Sequence, residues 1–213
     1  MNINKGGVLD VSDISECSIT DALVAWYPLQ GDVRDYSGYG NDGTVVGAVP
    51  SARGYSFDGV NDYIDCGPVL APVSSFTYSV WAKQTNATVA LQFIIALGDT
   101  GDNGTWLAVA NNKSIKISLA NDGSVVSQFS TDIGIYDLDV WFYLSYLWDE
   151  NYIKVYANSA EIFSIPRTAI PQYDLNYNTI IGYLNSNRFF NGQIADVRIY
   201  NRALSAEEIN ILC

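Results

Sequence analysis

A chain of 213 residues, 48% hydrophobic and 13% aromatic, carries enough apolar surface to bury a core, which excludes disorder and suits one large all-β domain. Eleven Lys and Arg against 23 Asp and Glu leave a formal charge of −12, which excludes the basic surface that nucleic acid requires and favours metal cations. Histidine is absent, so a histidine-dependent catalytic triad is excluded and the usual zinc ligand is missing.

Residues 1–21 read as an N-terminal arm able to anchor elsewhere, and residues 22–213 as the domain. The opening "MNINKGGVLDVSDISECS" lacks the basic head and apolar run of a signal peptide, and no later run is long enough to span a bilayer. Cys17, Cys66 and Cys213 are too few and too scattered for a zinc ribbon or a disulfide-rich scaffold. Free thiols are the default expectation, and a single Cys17–Cys213 bridge between the two ends stays open.

From Ala22 the chain alternates strand and turn: "ALVAWYPL", "FTYSVWAKQ", "VALQFIIAL", "TWLAVA", "SIKISLA", "VWFYLSYLW", "YIKVYA", "NTIIGYL" and "QIADVRIY". These runs are rich in β-branched and aromatic residues and are parted by Gly, Asn, Asp and Pro clusters, as hairpins demand. In "SIKISLA" the apolar Ile115, Ile117 and Leu119 alternate with Ser114, Lys116 and Ser118, the pattern of a sheet with one wet face. The expected fold is therefore all-β, a two-sheet antiparallel β-sandwich of jelly-roll type. A short C-terminal helix closes it: in "LSAEEINIL", Ser205 stands three residues before Glu208 as a capping box, with Ile209 and Leu212 facing the body.

Three separated motifs, in order, carry a resemblance. "LVAWYPLQGDVRDYSGYGNDGTVVG", "YSFDGVNDYIDCG" and "FFNGQIADVRIYNRALSAEEI" resemble the opening, second and closing segments of laminin-G-like, concanavalin A-like (pentraxin-like) jelly-roll domains. The resemblance covers about residues 22 to 212. It implies a sandwich of two antiparallel sheets, often with structural calcium, serving as a sugar-binding or protein-binding module. Two departures stand out: Phe142 and Tyr143 replace a common histidine pair, and Ala195 precedes Asp196 where relatives often carry two aspartates.

The resemblance brings the first loop, "DYSGYGNDG", close to the last strand and so implies a calcium set of Asp35, Asn41, Asp42 and Asp196. Hard oxygen donors in an acidic chain suit that ion. The alternative is that these residues cap turns and pair with Arg34 or Arg198. A second acidic cluster, Asp58, Asn61, Asp62 and Asp65, reads as a tight turn around Gly59. For sugar, an aromatic face beside carboxylate or amide groups is needed. Trp81, Trp141 and Trp148 sit in strongly apolar runs and are assigned to the core, which leaves Trp106 beside Asp99 and Asp102 of an Asp-rich hairpin, and Tyr39 in the first loop, as ligand-binding candidates.

Glycoside hydrolysis requires two carboxylates about 5 to 9.5 Å apart. The five glutamates form no Glu-x-Asp-x-x-Glu pattern, and "WDEN" reads as a hairpin turn, so no enzyme is expected. The initiator methionine, the missing export signal and the arm suit a virion structural or attachment protein of phage type, whose arm contacts other virion proteins while the sandwich meets cell-surface glycans. The alternative is a calcium-dependent lectin module, free or part of a larger secreted protein.

Overall fold

The computed structural model describes residues 19–69, 75–97, 105–119, 127–167, 177–184 and 188–213. Strands are numbered in chain order. One sheet runs β13 (Ala160–Pro166), β12 (Tyr152–Ala157), β11 (Phe142–Trp148), β6 (Phe76–Gln84), β15 (Asn191–Tyr200), β4 (Tyr55–Asp58) and β3 (Val49–Pro50), with β1 (Leu23–Tyr27) paired to β15 as well. The facing sheet runs β10 (Ser127–Ser130), β9 (Ile115–Leu119), β8 (Thr105–Ala110), β7 (Leu91–Leu97), β14 (Thr179–Ile181), β5 (Tyr63–Asp65) and β2 (Thr44–Val46). Every described pairing is antiparallel, so the expected sandwich and its jelly-roll class are what the chain forms.

The core lies between the sheets because strand side chains alternate faces. Phe76, Tyr78, Val80 and Ala82 point inward from β6, and Tyr146 and Trp148 from β11, against Leu107, Val109, Ile115 and Ile117 of the facing sheet. Phe76 is the hub of the aromatic part, 4.0 Å from the Trp148 ring and 4.3 Å from that of Tyr78. Polar ties cross the layer as well: the Tyr146 hydroxyl donates to the Ser118 carbonyl at 3.0 Å, and the Asn191 amide donates to Gln92 Oε1 at 3.0 Å. The face of β9 expected to be wet is only partly so. Lys116 is half-buried, while Ser114 and Ser118 are fully buried. Ser114 lies under the side chain of Asn112, whose Oδ1 accepts from its hydroxyl at 2.8 Å.

The helix appears where the capping box placed it, as α1 (Ala206–Leu212). The Ser205 hydroxyl accepts from the Glu208 amide at 3.2 Å, and Glu208 accepts in return from the Ser205 amide at 2.9 Å. Arg202 then clamps both Glu208 oxygens at 2.7 Å each. Thr77 ties this corner to β6, donating to the Arg202 carbonyl and accepting from the Leu204 amide. Leu204, Ile209 and Leu212 pack on Leu23, Tyr143, Leu147 and Tyr200, covering this part of the first sheet's outer face.

That cover depends on apolar contact. Ile209 is fully buried, and truncation of such a side chain costs about 2–4 kcal/mol in removed contacts and residual cavity. Urea unfolding of Ile209→Ala is expected to show that loss with an unchanged denaturant slope.

Candidate functional site

Another part of the same outer face holds a cleft, and β15 creates it. Two short strands share one edge of β15: β4 pairs with residues 191–194 and β1 with residues 197–200. Between them the register against β6 slips from Ala195 to Arg198, and Asp196 adopts a φ of +48°. A bulge of this kind bends the strand and re-aims its side chains. The β3–β4 turn then leans onto β15 at Gly54, whose φ is +81° and where an added Cβ would collide with the Ile194 carbonyl oxygen. Only glycine fits there. The opening left between turn and bulge is about 720 Å³, lined chiefly by Trp26, Trp81, Arg53, Arg198, Asp196 and Gln30.

The aromatic walls are fixed in place. Trp26 donates its indole N–H to Asp196 Oδ1 at 2.6 Å, and the same oxygen accepts from Arg198 Nε at 3.1 Å. The Arg198 guanidinium in turn lies 4.6 Å from the Trp26 ring centroid, so the three residues lock one another. Trp81 packs at 5.5 Å on Tyr143, whose hydroxyl shares a 2.5 Å hydrogen bond with Ser79. Arg53 reaches from the β3–β4 turn to within 4.3 Å of the Trp81 centroid and 4.7 Å of that of Trp141.

Trp81 and Trp141 are therefore not core residues, contrary to the expectation drawn from their apolar neighbours; both are half-buried on the outer face, and of the three only Trp148 lies inside. Period-two alternation could have shown this, because Trp81 shares its strand face with Lys83 and not with Tyr78 or Val80. Trp106 departs from expectation in the opposite direction. At 5% exposure it packs edge-on against Phe93 and beside Leu184 on the outer side of the second sheet, with no face free to stack on a ligand. Asp99 and Asp102 lie outside the described residues. Tyr39 is exposed in the first loop.

That loop spends its oxygens on itself. Asp35 accepts from the amides of Trp26 at 2.9 Å, Ser37 at 2.8 Å and Asn41 at 3.0 Å. Asp42 accepts from the Asp35 amide at 2.9 Å, and the Asn41 amide group donates to the Val24 carbonyl at 3.0 Å. Burial pushes the Asp35 carboxyl up, but the bonds from Ser37, Trp26 and Asn41 outweigh it and hold the group below its ordinary value. Asp196 is engaged by Trp26 and by Arg198, the pairing that the turn-capping alternative anticipated. Among the described residues no three His, Cys, Asp or Glu side chains gather as ion ligands. Asp35, Asn41, Asp42 and Asp196 as placed do not fit a calcium ion, which takes about six to eight converging oxygens. The second acidic cluster is the tight turn expected: Asp62 accepts from the Asp58 amide at 2.9 Å and Asp58 from that of Val60 at 2.8 Å, around Gly59 at φ +79°. Asp149 of "WDEN" caps the β11–β12 hairpin in the same way. Cys66 is a buried and Cys213 an exposed free thiol; Cys17 lies outside the described residues.

A two-sheet jelly roll with an aromatic cleft on one outer face defines a lectin-like β-sandwich. Residues 58–210 match the family model of the concanavalin A-like lectin/glucanases superfamily, and the chain belongs to that family. No curated protein sequence matches it. Among solved structures it resembles domain 4 of a GH43 extracellular arabinanase from Geobacillus stearothermophilus, determined with arabinotriose, at 20% identity and a TM-score of 0.69 over 89% of this chain and 97% of that one. The botulinum neurotoxin serotype D binding domain aligns at 20% identity and a TM-score of 0.74 over 92% of this chain and 52% of its own. A botulinum neurotoxin type C structure, of a toxin whose cell entry is dependent upon interaction with two ganglioside molecules, aligns at 18% identity and a TM-score of 0.72, with 93% of this chain and 52% of that one covered. At these identities the likeness is one of fold, and the chain spans about half of the toxin chains. No helix among the described residues is long and apolar enough to cross a membrane.

Asp35→Ala leaves three amides without an acceptor, a loss of about 1–3 kcal/mol in chemical unfolding. Because folding lowers the Asp35 pKa, its contribution is complete above about pH 4 and is lost as pH falls through the folded value, so the mutant and wild-type stabilities are expected to converge in acid. Melting midpoints in calcium and in chelator are expected to coincide; a midpoint raised by calcium and insensitive to chelator only in Asp42→Ala would place an ion on this loop.

Proposed function

We propose that the domain is a non-catalytic carbohydrate-binding module whose ligand lies in the cleft between Trp26 and Trp81. The observation that carries this reading is the pair of half-buried indoles, each held from behind by hydrogen bonds or ring packing, opening onto a groove with polar groups at its rim. A pyranose or furanose offers apolar C–H groups to the parts of these rings that Arg53 and Arg198 leave open and hydroxyls to Gln30, Ser51 and Arg198 around them. Rigid walls reduce the ordering cost of binding, which is where weak saccharide contacts are otherwise lost. The arabinotriose-bound arabinanase domain and the ganglioside-dependent toxin support the class of ligand.

Absence of catalysis is part of the proposal. Asp196 is the carboxylate among the cleft-lining residues, and its Oδ1 is already engaged by Trp26 and Arg198, whereas hydrolysis uses two carboxylates on opposite sides of the scissile bond.

Particle attachment through residues 1–21, with the cleft turned outward to glycans, extends the same reading to a virion. Its support is the sequence of that arm, most of which lies outside the described residues. Mass spectrometry of density-purified particles is expected to find the chain in stoichiometric amount if the arm anchors it; its absence from intact particles would leave the free module.

The binding face is tested with Trp81→Ala. Truncating an anchoring tryptophan costs on the order of 2 kcal/mol, about 30-fold in affinity. Calorimetric titration with the best hit from a glycan array is expected to show that loss while far-ultraviolet circular dichroism stays that of the folded wild type. Full retention of binding would move the site elsewhere.

A further inference from the structure

We infer that the cleft selects an anionic saccharide, whose carboxylate or sulfate pairs with Arg53; the inference rests on the carbohydrate-binding reading and adds the chemical class of the ligand. The argument begins from charge. The chain carries only eleven Lys and Arg in a total of −12, yet Arg53, Lys83 and Arg198 all stand on this one face. Arg198 is matched by Asp196. The other two are not matched: no carboxylate lies within ion-pairing distance of Arg53 or Lys83 among the described residues, and no described group accepts a hydrogen bond from the Arg53 side chain.

Arg53 is nevertheless held. Its guanidinium lies 4.3 Å from the centroid of Trp81 and 4.7 Å from that of Trp141, and Lys83 adds its ammonium 5.6 Å from Trp141. Stacking occupies the flat face of the guanidinium and leaves its edge, with five N–H donors, for a partner. That edge matches the paired oxygens of a carboxylate or sulfate in a two-pronged hydrogen bond. Recognition of a neutral sugar is served by the indoles and hydroxyl partners alone and gives no reason to place two unpaired cations against them. The remaining surface is acidic and repels anions at long range, so attraction is confined to within about 8–10 Å of this patch. A ligand must therefore present its charge at the open edge of the Arg53 guanidinium, with its apolar ring atoms lying in the groove beside the indoles, as an acidic sugar does.

The test is an array of neutral, carboxylate-bearing and sulfated glycans, followed by calorimetric titration of the strongest members against wild type, Arg53→Gln and Lys113→Gln. Lys113, in the turn between β8 and β9, pairs with Asp137 and makes the same change in net charge away from the cleft. Expected are binding confined to acidic members, weakening as sodium chloride is raised, a loss of roughly tenfold or more in Arg53→Gln, and no change in Lys113→Gln. Carboxylate-only or sulfate-only binding identifies which anion the site takes. Trp81-dependent binding of neutral glycans with Arg53→Gln unaffected would overturn the charge assignment and leave the carbohydrate module standing. No binding by any class would overturn both.

Discussion

The binding face depends on one constraint, the way a single strand is shared. β15 pairs with β6 on one side and must accept two short partners, β4 and β1, along the other. A continuous ladder cannot serve both, and the slip falls at Asp196, where a non-glycine residue takes a left-handed conformation. That conformation is unfavourable for such a residue and is held by what surrounds it: the Asp196 amide donates to the Pro28 carbonyl, and its side chain accepts from Trp26 and Arg198. The same contacts that fix the bulge set the cleft walls, so the shape of the site and the integrity of the sheet are one problem.

The outer face of this sheet carries two groups of apolar side chains, and the molecule treats them differently. α1 covers the part built from Leu23, Tyr143, Leu147 and Tyr200, and it does so as a rigid lid, capped by Ser205, clamped by Arg202 and pinned to β6 through Thr77. Among the described residues the part built from Trp26, Trp81 and Trp141 has no helix over it and is topped by guanidinium groups. Apolar surface left open beside a fully buried neighbour is the pattern of a binding surface. Ala195 contributes by its size: it faces Trp81 across the β15–β6 ladder and lines the cleft, where the aspartate implied by the family resemblance would place a carboxylate beside the indole.

The acidic loops show how the same residue types serve a different purpose. Asp and Asn are abundant in "DYSGYGNDG" and "FDGVND" because short side-chain oxygens satisfy amides that the irregular backbone cannot pair by itself. Asp35 alone makes three such bonds, two within the loop and one to the Trp26 amide of β1. Composition signals oxygen donors in either case; only direction tells whether they converge on an ion or turn back to the chain.

The sandwich, the longer strands, the helix with its capping box and the tight turns at Asp58 and Asp149 were legible in the sequence, because each depends on local periodicity or on a hydrogen bond spanning a few residues; β2, β3, β4, β5, β10 and β13 were not among the runs read as strands, and most are too short to show a period. Cleft membership was not, although half of it was implied. Alternation within "FTYSVWAKQ" assigns Trp81 to the face of Lys83, but it does not say that this face lies next to Arg53 from the β3–β4 turn, or that a bulge some 115 residues later would open a space beside it. Trp106 was misread because its Asp-rich neighbours suggested exposure, while its burial was decided by Phe93 and Leu184 from other segments. The sequence by itself determined which residues alternate, cap and turn, since those interactions are short-range. Which aromatic residues were left uncovered, and which cations were left without partners, was decided by the tertiary structure, because both depend on neighbours brought together across two hundred residues of chain.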